Sequence, residues 1–586
     1  MKANILRYTG MAVIAGMSLS MLTACDDYFE QDNDHVIFAD EDQLTNANDT
    51  VYSILGILEK LQAIADRTIL FGEVRGDLVD INTTTESDLR DLALFNVGDS
   101  NVYNAPKDYY AVINNCNYYI NTADTALKNN RNEYIFQREF VAAKVIRAWT
   151  YLQLALAYGK VPYVENAITT TSDLEEDYPE VEIEELCNLL IDDISSYVTV
   201  SVPLFSGLSA DNNLMFFPIR ALLGDLCLWA GRYTEAAQWY YQYIYNRNGT
   251  QTAYPTTTDC AYWGRDDDDY QWWTDGFTSS ITSESYSTTS ELMYLIVCPT
   301  NSAEDNYSQL RNIFNSTSDN EYTPQLNPST AIEELSESQV YCNYSTAKSV
   351  SYVSQDLDEH RSGDLRLGSV WNEGTINYNN VNQATQTINK YQSSNVHFYR
   401  RAMVYLRMAE ALNRAGYPRF AFEILADGIS DSIIRNKVMP YYPDATSFLE
   451  SFDFDDDIYI TRLYDPTSDN SSANQMGIHS RGCGWTEYNE YYTFPSDSTI
   501  TDTLTYQIEQ VEDMIMDECA LELAFEGHRF YDLMRVALRR NDPSYLADKV
   551  YGRRGEDGVA EMQSLIEKDL TDTKSWYLTW KDQIGY

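Results

Sequence analysis

The chain is poor in cations, in histidine and in spaced cysteine pairs. Of 586 residues only 41 are Lys or Arg against 89 Asp or Glu, a formal charge of −48. A field of that sign repels phosphate backbones and argues against nucleic acid as a partner. There are five His, none in an HExxH run, and neither GxSxG nor GxxxxGK[ST] occurs, so no motif demands metalloprotease, serine-hydrolase or phosphate-loop chemistry. The nine Cys include no CxxC pair; Cys187 and Cys227 fall within apolar helical patterns, where a thiol acts as a small hydrophobe. The acidic runs Asp266–Asp269 and Asp453, Asp455, Asp456, Asp457 lack the central Gly and closing Glu of an EF-hand loop. They read as solvated loops, so neither metal nor cofactor is expected.

A spanning apolar run is missing too. The apolar stretch at the amino terminus, Met11 to Ala24, falls short of the roughly 20 residues a membrane helix needs. Preceded by Lys2 and Arg7, it reads as a secretory signal, residues 1–24. It ends in Leu22-Thr23-Ala24-Cys25, which resembles the lipobox of a bacterial lipoprotein and makes Cys25 the acylation site. Several acyl chains on one Cys anchor stably, since each buried methylene adds about 0.8 kcal/mol. The acidic stretch 25–37 then serves as a tether.

What the chain has is aromatic surface and helical pattern. Tyr numbers 47 and Trp 10, side chains with a flat apolar face and a polar edge that suit a contact surface. From Phe140 to Tyr158, Val141, Val145, Ala148, Leu152 and Ala155 form one stripe and Ile146, Trp149 and Leu156 a second, the mark of a helix packed on two sides. Pro218 opens a further helix with Ile219, Leu222, Leu223 and Leu226 on one face. After Gly231, Thr234 is placed to cap a partner holding Ala236, Ala237, Tyr240 and Ile244. The turn Ala230–Ala237 looks like that of a tetratricopeptide repeat. A second pair is expected from Phe398 to Ala415 and from Phe420 to about Ile429. The fold expected is mainly α, with tetratricopeptide-like helix pairs and a large irregular, loop-rich part. Its divisions are a helical part over 38–246, a loop-rich insertion over 247–397, a further helix pair over 398–440 and a C-terminal part over 441–586.

The candidate binding residues lie in the insertion. Tyr262-Trp263-Gly264-Arg265, four Asp and Tyr270-Gln271-Trp272-Trp273 crowd rings and acids into 12 residues that no single helical stripe can bury. Trp263, Tyr270, Trp272 and Trp273 offer the C–H faces of sugars a stacking plane, with neighbouring polar groups for the hydroxyls; packing under a loop is the competing use. Asn101 and Tyr103, ahead of a helix near Tyr109, form a second candidate edge, whose competing use is as turn residues at the helix entrance. No catalytic residue is assigned: His528, between Glu526 and Arg529, reads as part of an ion-paired helix.

The run Glu518 to Arg535, with Glu526-Gly527-His528-Arg529-Phe530-Tyr531-Asp532-Leu533 at its heart, resembles the C-terminal helix of the SusD/RagB family of nutrient-binding outer-membrane lipoproteins. Arg147-Ala148, Tyr158–Pro162, Asp364–Leu367, Asn389–Tyr391 and Tyr405–Asn413 are similar to shorter family patterns. Cys519 and Val536 depart from the family's usual Arg and Trp. The resemblance implies a SusD-like α-superhelix, anchored by lipid to the outer face of the outer membrane and acting as a lid over a SusC-like TonB-dependent transporter. It further implies a non-catalytic protein that captures an oligosaccharide, the alternatives being an oligopeptide or, in another class, glycoside hydrolysis.

Overall fold

The structure, a computed structural model, describes residues 47–206, 210–245, 276–285, 291–315, 324–340, 342–344, 350–352, 363–378, 381–456, 460–464, 473–484 and 492–579. It opens with helix α1 (Ala47–Glu73), whose Ile54, Ile57, Leu61 and Ile64 recur at helical spacing and are at most 1% exposed. Strand β1 (Val79–Ile81) and α2 (Ser87–Ala93) lead to α3 (Pro106–Thr122) and α4 (Gln137–Tyr158). As its two apolar stripes require, α4 is buried from Val141 to Tyr158 almost without a break, with α3 on one side and α5 (Ile183–Ile194) on another.

Helix α6 (Ile219–Trp229) packs on α5 and forms an antiparallel pair with α7 (Tyr233–Tyr245). Gly224 lets the pair close: a Cβ there would sit 2.4 Å from the Tyr240 ring. α7 starts at Tyr233, ahead of the Thr234 cap expected from sequence. Gly231, at φ +72°, turns the chain early enough for Arg232 O to accept the first helical bond, from Ala236 N.

The insertion that follows includes β2 (Leu292–Ile296), β3 (Leu326–Pro328), α8 (Thr330–Ser338), α9 (Leu365–Val370) and the hairpin of β4 (Trp371–Tyr378) with β5 (Val381–Ile388). β3 pairs antiparallel with β1. β6 (Val396–Arg400) pairs antiparallel with β2, Val396 facing Ile296. Phe398–Arg400 is therefore strand where the sequence pattern suggested helix. Ladder pairing with the apolar run at 292–296 outweighs the local helical periodicity.

α10 (Arg401–Arg414) and α11 (Pro418–Ala426) form the second pair, and α10 lies directly on α7. The row α3-α4-α5-α6-α7-α10 is thus continuous in space although about 150 residues of chain separate α7 from α10. α12 (Thr503–Leu523), α13 (Arg529–Arg540) and α14 (Ser544–Tyr551) close the fold, α12 on α10 and α13 on α1. Six cysteines, Cys116, Cys187, Cys227, Cys298, Cys483 and Cys519, are buried and free, as an apolar use of the thiol requires. Among the described residues no helix is long and apolar enough to cross a membrane.

Candidate functional site

The C-terminal run from Glu518 to Arg535 is two helices, α12 and α13, rather than one. Phe525 (φ +68°) and Gly527 (φ +82°) reverse the chain between them. The reversal is seated on the end of α1: both carboxylate oxygens of Glu73 accept backbone N–H bonds, from Phe525 at 3.0 Å and Gly527 at 2.9 Å. Gly72 makes room for it, since a Cβ on Gly72 would lie 1.7 Å from Gly527 O.

Its acids reach across the fold instead of along one helix. Arg366, from α9, donates to Glu518 at 2.5 Å and to Glu522 at 2.8 Å, and also pairs with Asp364. Arg400, from the end of β6, reaches Glu522 at 2.6 Å, Glu526 at 2.9 Å and Glu291 at 3.0 Å. Arg481 bonds Glu291 at 2.5 Å and also Glu522, while Lys390 pairs with Glu526 and His479 Nδ1 lies 2.7 Å from Glu518. Burial works to raise the Glu522 and Glu526 carboxyls, but the guanidinium groups of Arg481, Arg400 and Arg366, and for Glu526 Arg400 and Lys390, outweigh it and hold both at about 2. Arg529 binds Asp77 through two hydrogen bonds of 2.6 and 2.9 Å, and Arg535 binds Glu410 through two of 2.7 and 2.6 Å.

This network ties α1, α9, β6, α10, α12 and α13 into one piece. Its Glu522 and Glu526 carboxylates are held ionised by the cations paired with them, whereas burial pushes the Glu73 carboxyl, which rests on backbone N–H groups, up to about 8. His528 lines a polar cavity of about 540 Å³ with Trp149, Asp225, Tyr399 and Arg407. Burial first, then the charge of Arg407, lowers its pKa to about 4. The imidazole is neutral at pH 7, with Nε2 3.1 Å from the Phe398 carbonyl and the ring edge-on to Tyr399. Asp225, pushed up to about 6 mainly by burial, accepts the Tyr240 hydroxyl proton at 2.5 Å.

Of the residues expected to bind ligand, Trp263, Tyr270, Trp272 and Trp273 lie outside the described residues, as does the acylation candidate Cys25. Asn101 and Tyr103 stand in the turn before α3. The Asn101 side chain is 5% exposed; its Nδ2 donates to Asp88 O at 2.9 Å and its Oδ1 accepts from Tyr103 N at 3.0 Å. That carboxamide orders the turn, the use weighed beside ligand binding from the sequence. Burial raises the Tyr103 hydroxyl pKa, helped by the charges of Asp66, Glu86 and Asp88. Among the described residues no group of His, Cys, Asp and Glu is arranged to hold a metal ion.

A second concavity, of about 740 Å³, opens between α4, the segment 200–203 and the start of α6, with Tyr243 and Met293 on its walls. The sequence reading missed it. The one trace of it in the sequence is Arg220, a cation set between Ile219 and Ala221 in the first turn of a mostly apolar helix.

Residues 487–577, which hold the α12–α13 reversal, match the SusD family. The whole fold is shared with solved SusD superfamily proteins. One from Bacteroides vulgatus is 14% identical with a TM-score of 0.55, over 91% of this chain and 95% of that one. Another from Bacteroides thetaiotaomicron is 15% identical with a TM-score of 0.53, over 91% and 96%. A SusD-like carbohydrate binding protein from Bacteroides vulgatus is 14% identical with a TM-score of 0.50, over 84% and 83%. No curated protein matches the chain in sequence.

Proposed function

Starting from its SusD fold and SusD-family C-terminal segment, we propose that the chain is a non-catalytic nutrient-capture lipoprotein of the outer membrane. Lipid on Cys25 holds it at the cell surface, where it binds an oligosaccharide and passes it to a SusC-like TonB-dependent transporter. The observation that carries this reading is the joint match of fold and C-terminal segment, one relative being a carbohydrate binding protein by name. The Arg-paired carboxylates around α12 favour a binder over a hydrolase. Trp263, Tyr270, Trp272 and Trp273 provide the stacking faces for sugar rings, while Asn101 and Tyr103 are the second candidate edge.

Calorimetry of the mature protein against an oligosaccharide panel and an oligopeptide panel, with products followed by chromatography, tests the reading. Binding to a glycan without cleavage is expected. Replacing both Trp272 and Trp273 by Ala should weaken it by on the order of 1 kcal/mol per ring lost. Turnover abolished by a single carboxylate substitution, or binding confined to the peptide panel, would refute it.

A further inference from the structure

The groove beside α6 has a lining with two cations, Arg138 and Arg220, and no acid, in a chain where acids outnumber bases by more than two to one. Arg138 is exposed at the rim, whereas Arg220 is only 8% exposed. Among the described residues no acidic side chain pairs with Arg220 and its Nε has no hydrogen-bond partner, and burial lowers its pKa. Arg75 shows how this fold otherwise treats a buried guanidinium without an acid. It donates to the carbonyls of Phe71 and Trp576 and to the Tyr531 hydroxyl, and it stacks on Phe530 at 4.2 Å. Arg220 has no such provision. A buried cation without a counter-charge is strongly unfavourable, so the site is electrostatically incomplete by one anion.

The surroundings specify what that anion is attached to. Val141, Val145 and Ile146 of α4, Phe216, Phe217 and Met293 give the groove an apolar wall. Arg220 lies in the first turn of α6, an eleven-residue helix with no side chain capping its N-terminus, so the helix dipole adds to the same positive potential. A planar guanidinium matches a carboxylate through two parallel hydrogen bonds.

We propose that this groove binds a monocarboxylate with an aliphatic body, the carboxylate on Arg220 and the apolar part against α4 and Met293. A medium-chain fatty acid and the free C-terminus of a peptide ending in an aliphatic residue share this chemistry. None of the groove's lining residues is among those proposed for glycan, and its test does not depend on them.

The experiment titrates the mature protein by calorimetry with octanoate and octanol, and with an acetylated tripeptide ending in Leu in its acid and amide forms. At least one acid should bind, at least tenfold more tightly than its neutral counterpart. Arg220→Met should abolish that preference, and the arm that responds identifies the source. Without ligand, Arg220→Met should melt at a higher temperature than the wild type, because an unpaired buried charge is gone. Equal affinity for acid and neutral forms, no binding by either acid, an unchanged preference in Arg220→Met or a lowered melting temperature would each overturn the proposal.

Discussion

At the scale of single residues, the buried charges carry the sharpest consequences. Arg400 holds Glu291, Glu522 and Glu526 together, so Arg400→Met leaves acids under-neutralised in the interior. We expect a loss of about 3 kcal/mol or more in denaturant unfolding, the scale for breaking one partner out of a buried ion pair. His528 adds a pH dependence of definite sign. Its pKa is about 4 in the fold and 6.5 ordinarily, so the unfolded chain takes up a proton between those values and stability falls as pH drops across that window, by up to about 3 kcal/mol. Glu522 and Glu526, held at about 2 against 4.5, contribute stability above pH 4.5 that is lost as pH falls toward 2. Glu73 and Asp225, raised by burial to about 8 and about 6, act in the opposite sense as pH falls, so the His528 contribution is read by difference: from about pH 7 to about pH 5 the urea midpoint of the wild type should fall further, or rise less, than that of His528→Asn. Between about pH 4 and about pH 3 the two proteins should fall alike, through Glu522 and Glu526.

At the scale of elements, the α12–α13 reversal depends on the contact of Gly72 with Gly527. Gly72→Ala places a methyl 1.7 Å from a backbone oxygen that cannot give way as a side chain can. We expect a loss of at least about 3 kcal/mol, overpacking at the upper end of its usual range, with a lowered melting temperature as the readout. The helices were legible because their apolar residues repeat at the helical period: Val141 to Tyr158 is buried as two stripes demand, and Pro218, Gly231, Gly416 and Pro418 stand where the pairs begin and turn. The reversal at 525–527 was not, because Phe525 in a left-handed conformation has no local sequence cause. Glu73, some 450 residues away, holds it. The strand at 396–400 was hidden for the same reason, its partner lying about 100 residues upstream.

At the scale of the whole molecule, sequence pattern reached the helical architecture and the C-terminal segment that matches the SusD family, but the sites only as candidate residues. Charge pairing is a property of three-dimensional proximity: nothing in the order Asp364, Arg400, Arg481, Glu522 announces one network, and nothing near Arg220 announces a missing acid. The net charge of −48 has a measurable effect of its own. Raising ionic strength from about 0.01 M to about 0.15 M shortens the screening length from about 30 to about 8 Å. Self-repulsion should weaken and the melting temperature rise, because the buried pairs are screened far less than the surface. A fall in scanning calorimetry would mean that surface pairing outweighs repulsion.

The end of α1 has a consequence for how the molecule comes into being. Glu73 is held by Phe525 and Gly527, Asp77 by Arg529, and Arg75 by the Trp576 carbonyl, partners 452 to 501 residues downstream. A ribosome must deliver some 450 further residues before this helix meets any of them. Until then that end of the helix stays loose and exposed to proteases, and a segment made much later is the one that locks it in place.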